Sequence, residues 1–139
     1  MNLSKNFTLA EMMRTSSKYE NIATAENIAN MKALCTYVLQ PLRDWYGKSI
    51  KVNSGFRSPL VNKSVGGSAT SEHKTGHAAD ITAGSNGENK KLFDYIRDNL
   101  EFGQLINEYD YSWIHVSYNP TRQRNEVWEK TSKGYKRLT

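Results

Sequence analysis

From Thr24 to about Tyr46 the apolar residues Ile28, Met31, Cys35, Val38, Leu42 and Trp45 recur at steps of three and four. That spacing lines one face of a helix and predicts the main core helix. Pro41 interrupts it: lacking an N–H, it forfeits the bond back to Tyr37, so a kink or an early stop near Gln40 is expected. Upstream, Phe7-Thr8-Leu9-Ala10-Glu11-Met12 reads as a helix start, with Thr8 capping the Glu11 amide, Glu11 reaching back and Phe7 packing on Met12. After Gly47 the period changes. Ser49 to Ser54 alternates polar and apolar like a half-buried strand, and Gly55 to Ser71, rich in Gly, Ser, Asn and Pro, is expected to form a long surface loop. His77 to Thr82 reads as a second strand. Ser85-Asn86-Gly87-Glu88 offers another capping box before a helix whose inner face is Leu92, Phe93, Ile96 and Leu100. Phe102 to Glu108 and Trp113 to Tyr118 are predicted strands joined by Tyr109-Asp110-Tyr111-Ser112; Asn125 to Lys130 adds another, with Lys133-Gly134 as its turn. Helices first and strands mostly later indicate an α+β domain with a largely antiparallel sheet.

At 139 residues, one domain covering 1–139 is the expectation. No apolar run of about 18 residues occurs, and the start lacks a basic flank followed by an apolar stretch. The chain is therefore expected to be made in the cytoplasm without its own export signal and not to insert into a membrane. A net charge of +5 favours polyanionic partners. The Lys and Arg residues are nevertheless scattered from Lys5 to Arg137, with no basic helix or aromatic-basic motif, so general solvation or attraction to an anionic wall suits the charge better than nucleic acid. A nucleic-acid binder resting on charge alone would show steep salt dependence. Cys35 is the single cysteine, which excludes an internal disulfide and a thiolate cluster, so any metal must be held by nitrogen and oxygen. On the buried stripe, Cys35 serves as a small apolar group.

The informative stretch is Ser71-Glu72-His73-Lys74-Thr75-Gly76-His77-Ala78-Ala79-Asp80, with Trp113-Ile114-His115-Val116-Ser117 as its distant counterpart. A catalytic zinc site needs three protein ligands and an open position, a demand that His73, Asp80 and His115 can meet. Strand alternation puts Asp80 on one face with Ala78 and Thr82, and His115 on the face opposite Ile114 and Val116. A competing pair, His73 and His77, has the spacing of a helix face. Gly76 between them argues against a helix and leaves His77 a structural or ligand-supporting role.

Ser54-Gly55-Phe56-Arg57-Ser58, Asn62, Val65-Gly66-Gly67, Ser71-x-His73-x-x-Gly76-x-Ala78-x-Asp80 and Trp113-x-His115-Val116-Ser117 resemble the zinc D-alanyl-D-alanine carboxypeptidase and L-alanyl-D-glutamate endopeptidase family, which shares its fold with the Hedgehog signalling domain. Leu3-Ser4-x-Asn6-Phe7-Thr8-Leu9-x-Glu11 and Leu39-x-Pro41-Leu42-Arg43 are similar to its short phage and prophage branch. The resemblance covers roughly residues 3 to 118. It implies a Hedgehog/DD-peptidase-like fold, Zn2+ on His73, Asp80 and His115, and peptidoglycan stem peptides as substrate, with an endolysin-like role on the wall after release. It also implies that Arg57 steadies the substrate carbonyl or developing oxyanion.

The sequence departs from the pattern at Ser112, where many relatives carry an acidic general base three positions before the second histidine. Glu108 is the expected replacement: if residues 109–112 form a four-residue hairpin loop, Glu108 lies opposite Trp113 and diagonal to His115. Hedgehog-like relatives similarly carry a glutamate at the end of the preceding strand. Asp110, at the loop tip, is the second candidate. Ser71 and His77 are expected to hydrogen-bond ligands or substrate, and Trp113 and Tyr118 to line the cleft. The expected form is a monomeric zinc metallopeptidase. The rival, left open by Ser112, is a zinc-containing wall-binding or structural module without turnover.

Overall fold

A computed structural model describes residues 1–138. Helix α1 (Leu9–Met13) carries the full predicted capping box between Thr8 and Glu11, and Phe7 and Met12 are both buried. The core helix forms as α2 (Ala25–Leu34) and α3 (Gln40–Tyr46), joined without a break by a π-helical turn over Cys35–Leu39. The expected kink or stop at Pro41 is thus replaced by a widened turn: the Gln40 N–H bonds the Cys35 carbonyl five residues back, and Pro41 falls in the first turn of α3, where its missing N–H matters least. The extra residue rotates the face that follows. Trp45, predicted on the buried stripe, is 48% exposed and stacks on Tyr95 at 4.1 Å, while Tyr46 packs against the core instead.

The six strands are β1 (Lys51–Ser54), β2 (Ala78–Thr82), β3 (Gln104–Glu108), β4 (Trp113–Ser117), β5 (Glu126–Thr131) and β6 (Gly134–Arg137), in the order β1-β2-β4-β3-β5-β6. Every pairing is antiparallel except β3 with β5, because the chain leaves β4, passes the end of β3 and pairs on its far side. One face of the sheet buries Val52, Ala79, Ile81, Leu105, Ile114, Val116 and Val127. Apolar residues of α2, α3 and helix α5 (Asn86–Asn99), among them Met31, Leu42, Leu92, Phe93 and Ile96, complete that core.

The predicted long loop from Gly55 to Ser71 is only partly a loop. Ser58 caps the Val61 amide and Pro59 opens helix α4 (Pro59–Ser64), the favoured position for a proline. The box at α5 is half formed. Ser85 accepts from the Glu88 amide, but the Glu88 carboxylate turns away to Tyr46 and Lys91.

The other face of the sheet carries polar rows. Asp80, His115, Ile106 and Trp128 are successive register partners across β2, β4, β3 and β5, and Trp113, Glu108, Lys130 and Tyr135 form the neighbouring row across β4, β3, β5 and β6. Directly opposed residues project from the same face. Side chains remote in sequence are thereby brought onto one surface.

Candidate metal centre

His73 is placed by backbone before any side chain acts. Residues Glu72–Thr75 form one 3-10 turn, with the Ser71 hydroxyl accepting from the His73 amide. Gly76 ends the turn at φ 84, and a Cβ there would stand 2.6 Å from the Asn27 carbonyl oxygen, so only glycine fits. The turn after β1 meets this segment from the other side: the Arg57 N–H donates to the His73 carbonyl at 2.9 Å. The His73 Nδ1 lies 2.6 Å from the Gly55 carbonyl oxygen, which can only accept, so Nδ1 carries the proton and Nε2 presents its lone pair inward. Gly55 is itself pressed on α1, where an added Cβ would lie 2.5 Å from the Met12 carbonyl oxygen.

Three candidate donors converge. Asp80 Oδ1 lies 3.3 Å from His73 Nε2 and 3.0 Å from His115 Nδ1, and the two imidazole centroids are 5.1 Å apart. The other Asp80 oxygen, Oδ2, accepts from Arg57 Nη2 at 3.3 Å. Arg57 is held in turn by Ser54 and Asn62. Burial by itself would raise the Asp80 pKa, but the imidazoles of His73 and His115 outweigh it and hold the carboxyl well below the usual range. For His115 burial would lower the pKa, and the Asp80 hydrogen bond and charge reverse the sign. Among the described residues, His73, Asp80 and His115 form the group suited to a metal. Two imidazole nitrogens and one carboxylate oxygen, with one imidazole fixed by a backbone acceptor, are a donor set that fits Zn2+ in an open site.

A cleft of about 650 Å³ opens over this group. Glu108 lies in it, buried, directly opposite Trp113 in the register, and its Oε2 accepts from Trp113 Nε1 at 2.9 Å. Burial, and then the negative charge of Asp80, raise the Glu108 pKa against the opposing pull of His115, Trp113 and Lys130. Arg57, Ser71 and Trp113 also line the cleft. Ser112 faces away from it, its hydroxyl donating to the Tyr109 carbonyl at 2.6 Å in the hairpin loop. Asp110 is exposed at the loop tip, His77 bonds Thr75 Oγ1 through Nδ1, and Tyr118 packs in the core with its ring stacked on Tyr37; none of the three lines the cleft. Sequence reasoning missed the far wall, made by Arg122, Arg124, Trp128, Lys130 and Tyr135. The strand that carries Trp128 and Lys130 was predicted, but nothing in its own residues tells that β5 joins β3 in parallel.

Residues 5–117, which hold all three candidate ligands and Glu108, match the Peptidase M15 family. The chain belongs to that family. It is also 45% identical over 84 residues to the zinc D-Ala-D-Ala carboxypeptidase of Streptomyces albus G, an alignment that takes in 59% of this chain and 33% of that relative. This chain thus spans about a third of the length of the curated relative it matches. The mixed sheet with flanking helices is consistent with the fold of this peptidase family. No helix among the described residues is long and apolar enough to cross a membrane.

Proposed function

We infer that this protein is a zinc-dependent peptidase that hydrolyses peptidoglycan stem peptides, with His73, Asp80 and His115 as the zinc ligands. The observation that carries this reading is the convergence of His73 Nε2, Asp80 Oδ1 and His115 Nδ1 at the floor of a cleft that also contains a buried carboxylate. The similarity to a zinc D-Ala-D-Ala carboxypeptidase supports the substrate class. Zinc held there would supply Lewis acidity, bringing the pKa of water down to about 7 and polarising the scissile carbonyl.

The protein's own groups do the rest. Glu108 accepts the proton of the attacking water and returns it to the leaving amine; its raised pKa suits a group that must both take and give a proton near neutrality. Trp113 holds one Glu108 oxygen, leaving the other for that exchange. Arg57 occupies Asp80 Oδ2, which turns Oδ1 toward the imidazoles, and lends its positive charge to the carbonyl oxygen as negative charge develops there. Ser71 supports His73 through its backbone amide. Trp113 and Ser71 frame the substrate. A monomer acting on the wall after release, in the manner of a phage-type endolysin, fits the short branch that the amino-terminal motifs resemble. The bond cut is either the terminal D-Ala-D-Ala link or the internal L-Ala-D-Glu link.

Mass spectrometry of purified peptidoglycan fragments, incubated with the protein with and without a chelator, tests the reading. Loss of a terminal D-alanine, or scission between L-Ala and D-Glu, only when zinc is available is the expected result. Unchanged fragments in the presence of zinc would overturn it.

A further inference from the structure

The cleft holds a cation that the chemistry above does not use. Arg57 is engaged by Asp80 at 3.3 Å and serves the scissile carbonyl in the reading above, and Arg124 is paired with Glu72 at 3.1 Å. Lys130 is different. Its Nζ sits 4.8 Å from the ring centroid of Tyr135 and 5.8 Å from that of Tyr109, and among the described residues it makes no ion pair. Aromatic faces fix an ammonium group without neutralising it, which leaves its charge available to a ligand. Glu108, its register partner across the parallel β3–β5 ladder, is turned to Trp113. Lys130 also lies beyond residues 5–117, outside the part of the chain that the family match accounts for.

Its position decides what it would meet. A base that returns its proton to the leaving amine must have that amine beside it, and Lys130 stands one strand spacing, about 4.8 Å, from the backbone of Glu108. A Lys side chain there reaches a group attached one or two bonds from the leaving nitrogen. The two candidate scissile bonds share one feature at that place. In a D-Ala-D-Ala link the leaving residue carries its terminal carboxylate on the carbon that bears the nitrogen. A D-Glu joined onward through its side chain carries its free α-carboxylate on the same atom.

The geometry points to Lys130, braced by Tyr109 and Tyr135, as the residue that selects substrates bearing a carboxylate on the carbon next to the leaving nitrogen. This rests on the peptidase reading and narrows its substrate. Arg122, the other cleft cation without an ion pair, precedes β5, whose first residue pairs with Gln104 at the opposite end of β3 from Glu108. It serves as the control.

The test compares zinc-loaded wild type with Lys130→Met, Lys130→Arg and Arg122→Ala on two substrate pairs: an acylated D-Ala-D-Ala peptide and its terminal amide, and an L-Ala-γ-D-Glu peptide and its α-amide. Wild type should prefer the free acid of the pair it cleaves. Lys130→Met should raise KM for that acid by about ten- to a hundredfold, the worth of one hydrogen bond to a charged group. The amide should be unaffected, Lys130→Arg should retain part of the preference, and Arg122→Ala should keep it. Which pair is cleaved tells the two carboxylate sources apart. Binding of the same peptides, followed by NMR shifts of the zinc-loaded protein, gives a readout independent of turnover. Cleavage of acid and amide alike, or equal losses on both in Lys130→Met, overturns the carboxylate site and leaves the peptidase reading standing. Lys130-dependent binding of the acid without cleavage overturns the peptidase reading and keeps the site. Absence of both binding and cleavage overturns the site as well.

Discussion

At the scale of single residues, the division of labour rests on what each group already touches. Glu108 has one oxygen tied to Trp113 and no cation within ion-pair distance among the described residues, the condition for a base. Replacing it by Gln should lower kcat by about 10² to 10⁴-fold, the usual worth of a positioned acid-base group, while zinc content measured by metal analysis stays unchanged. Burial and Asp80 raise its pKa, so the competent carboxylate disappears earlier on acidification than for an ordinary glutamate. The acid limb of kcat/KM should therefore fall at a pH above the usual glutamate range and vanish in the Gln variant. Asp110 makes the contrast: it is exposed and outside the cleft, so Asp110→Asn should leave kcat within about twofold, the scale of a surface substitution. Cys35 is inert for a physical reason, since burial, and secondarily the charge of Glu11, push its thiol up to about 12.

At the scale of elements, local rules were readable wherever local bonds decide. The Thr8 box, the strands at Ala78–Thr82 and Trp113–Ser117 and the opposition of Glu108 to Trp113 all follow from periodicity and turn length. The break expected at Pro41 is absent because a π-helical turn is an alternative to it, one that the proline by itself does not reveal. Helix α4 was hidden because polar caps and glycines around Pro59 look like loop composition, although Ser58-Pro59 is itself a start signal. The 3-10 turn holding His73 depends on Gly76 at φ 84 against Asn27. Gly76→Ala should cost at least about 1 kcal/mol in urea unfolding and weaken zinc binding together. The tie between α3 and α5 gives a second check. Hydrogen bonds from Lys91 and Tyr46 hold the Glu88 carboxyl down to about 2 from an ordinary 4.5. A depressed folded-state value means stability that is present above pH 4.5 and lost as the pH falls through about 2. The melting temperature of Glu88→Gln should accordingly lie below wild type at neutral pH and converge with it in acid.

At the scale of the whole molecule, the sheet is what turns scattered residues into a site. His73 comes from a turn clamped between α2 and the turn that follows β1, Asp80 and His115 face each other across β2 and β4, and Glu108 projects one row along from β3. The candidate ligand set was legible because each residue sat in a pattern of its own: Ser71-x-His73, alternation around Asp80, and Trp113-x-His115. The far wall was not, because β5 reaches the cleft through a parallel pairing set by the connection over the end of β3. X-ray absorption at the zinc edge, on protein carrying one equivalent of zinc, tests the central claim most directly. Two imidazole nitrogens at about 2.0–2.1 Å with carboxylate and water oxygens at similar distance are expected. His115→Ala should lose one imidazole from that shell and Asp80→Ala should shed most of the metal. A zinc shell that keeps both imidazoles in His115→Ala, or wild type that takes up no zinc, would contradict the account.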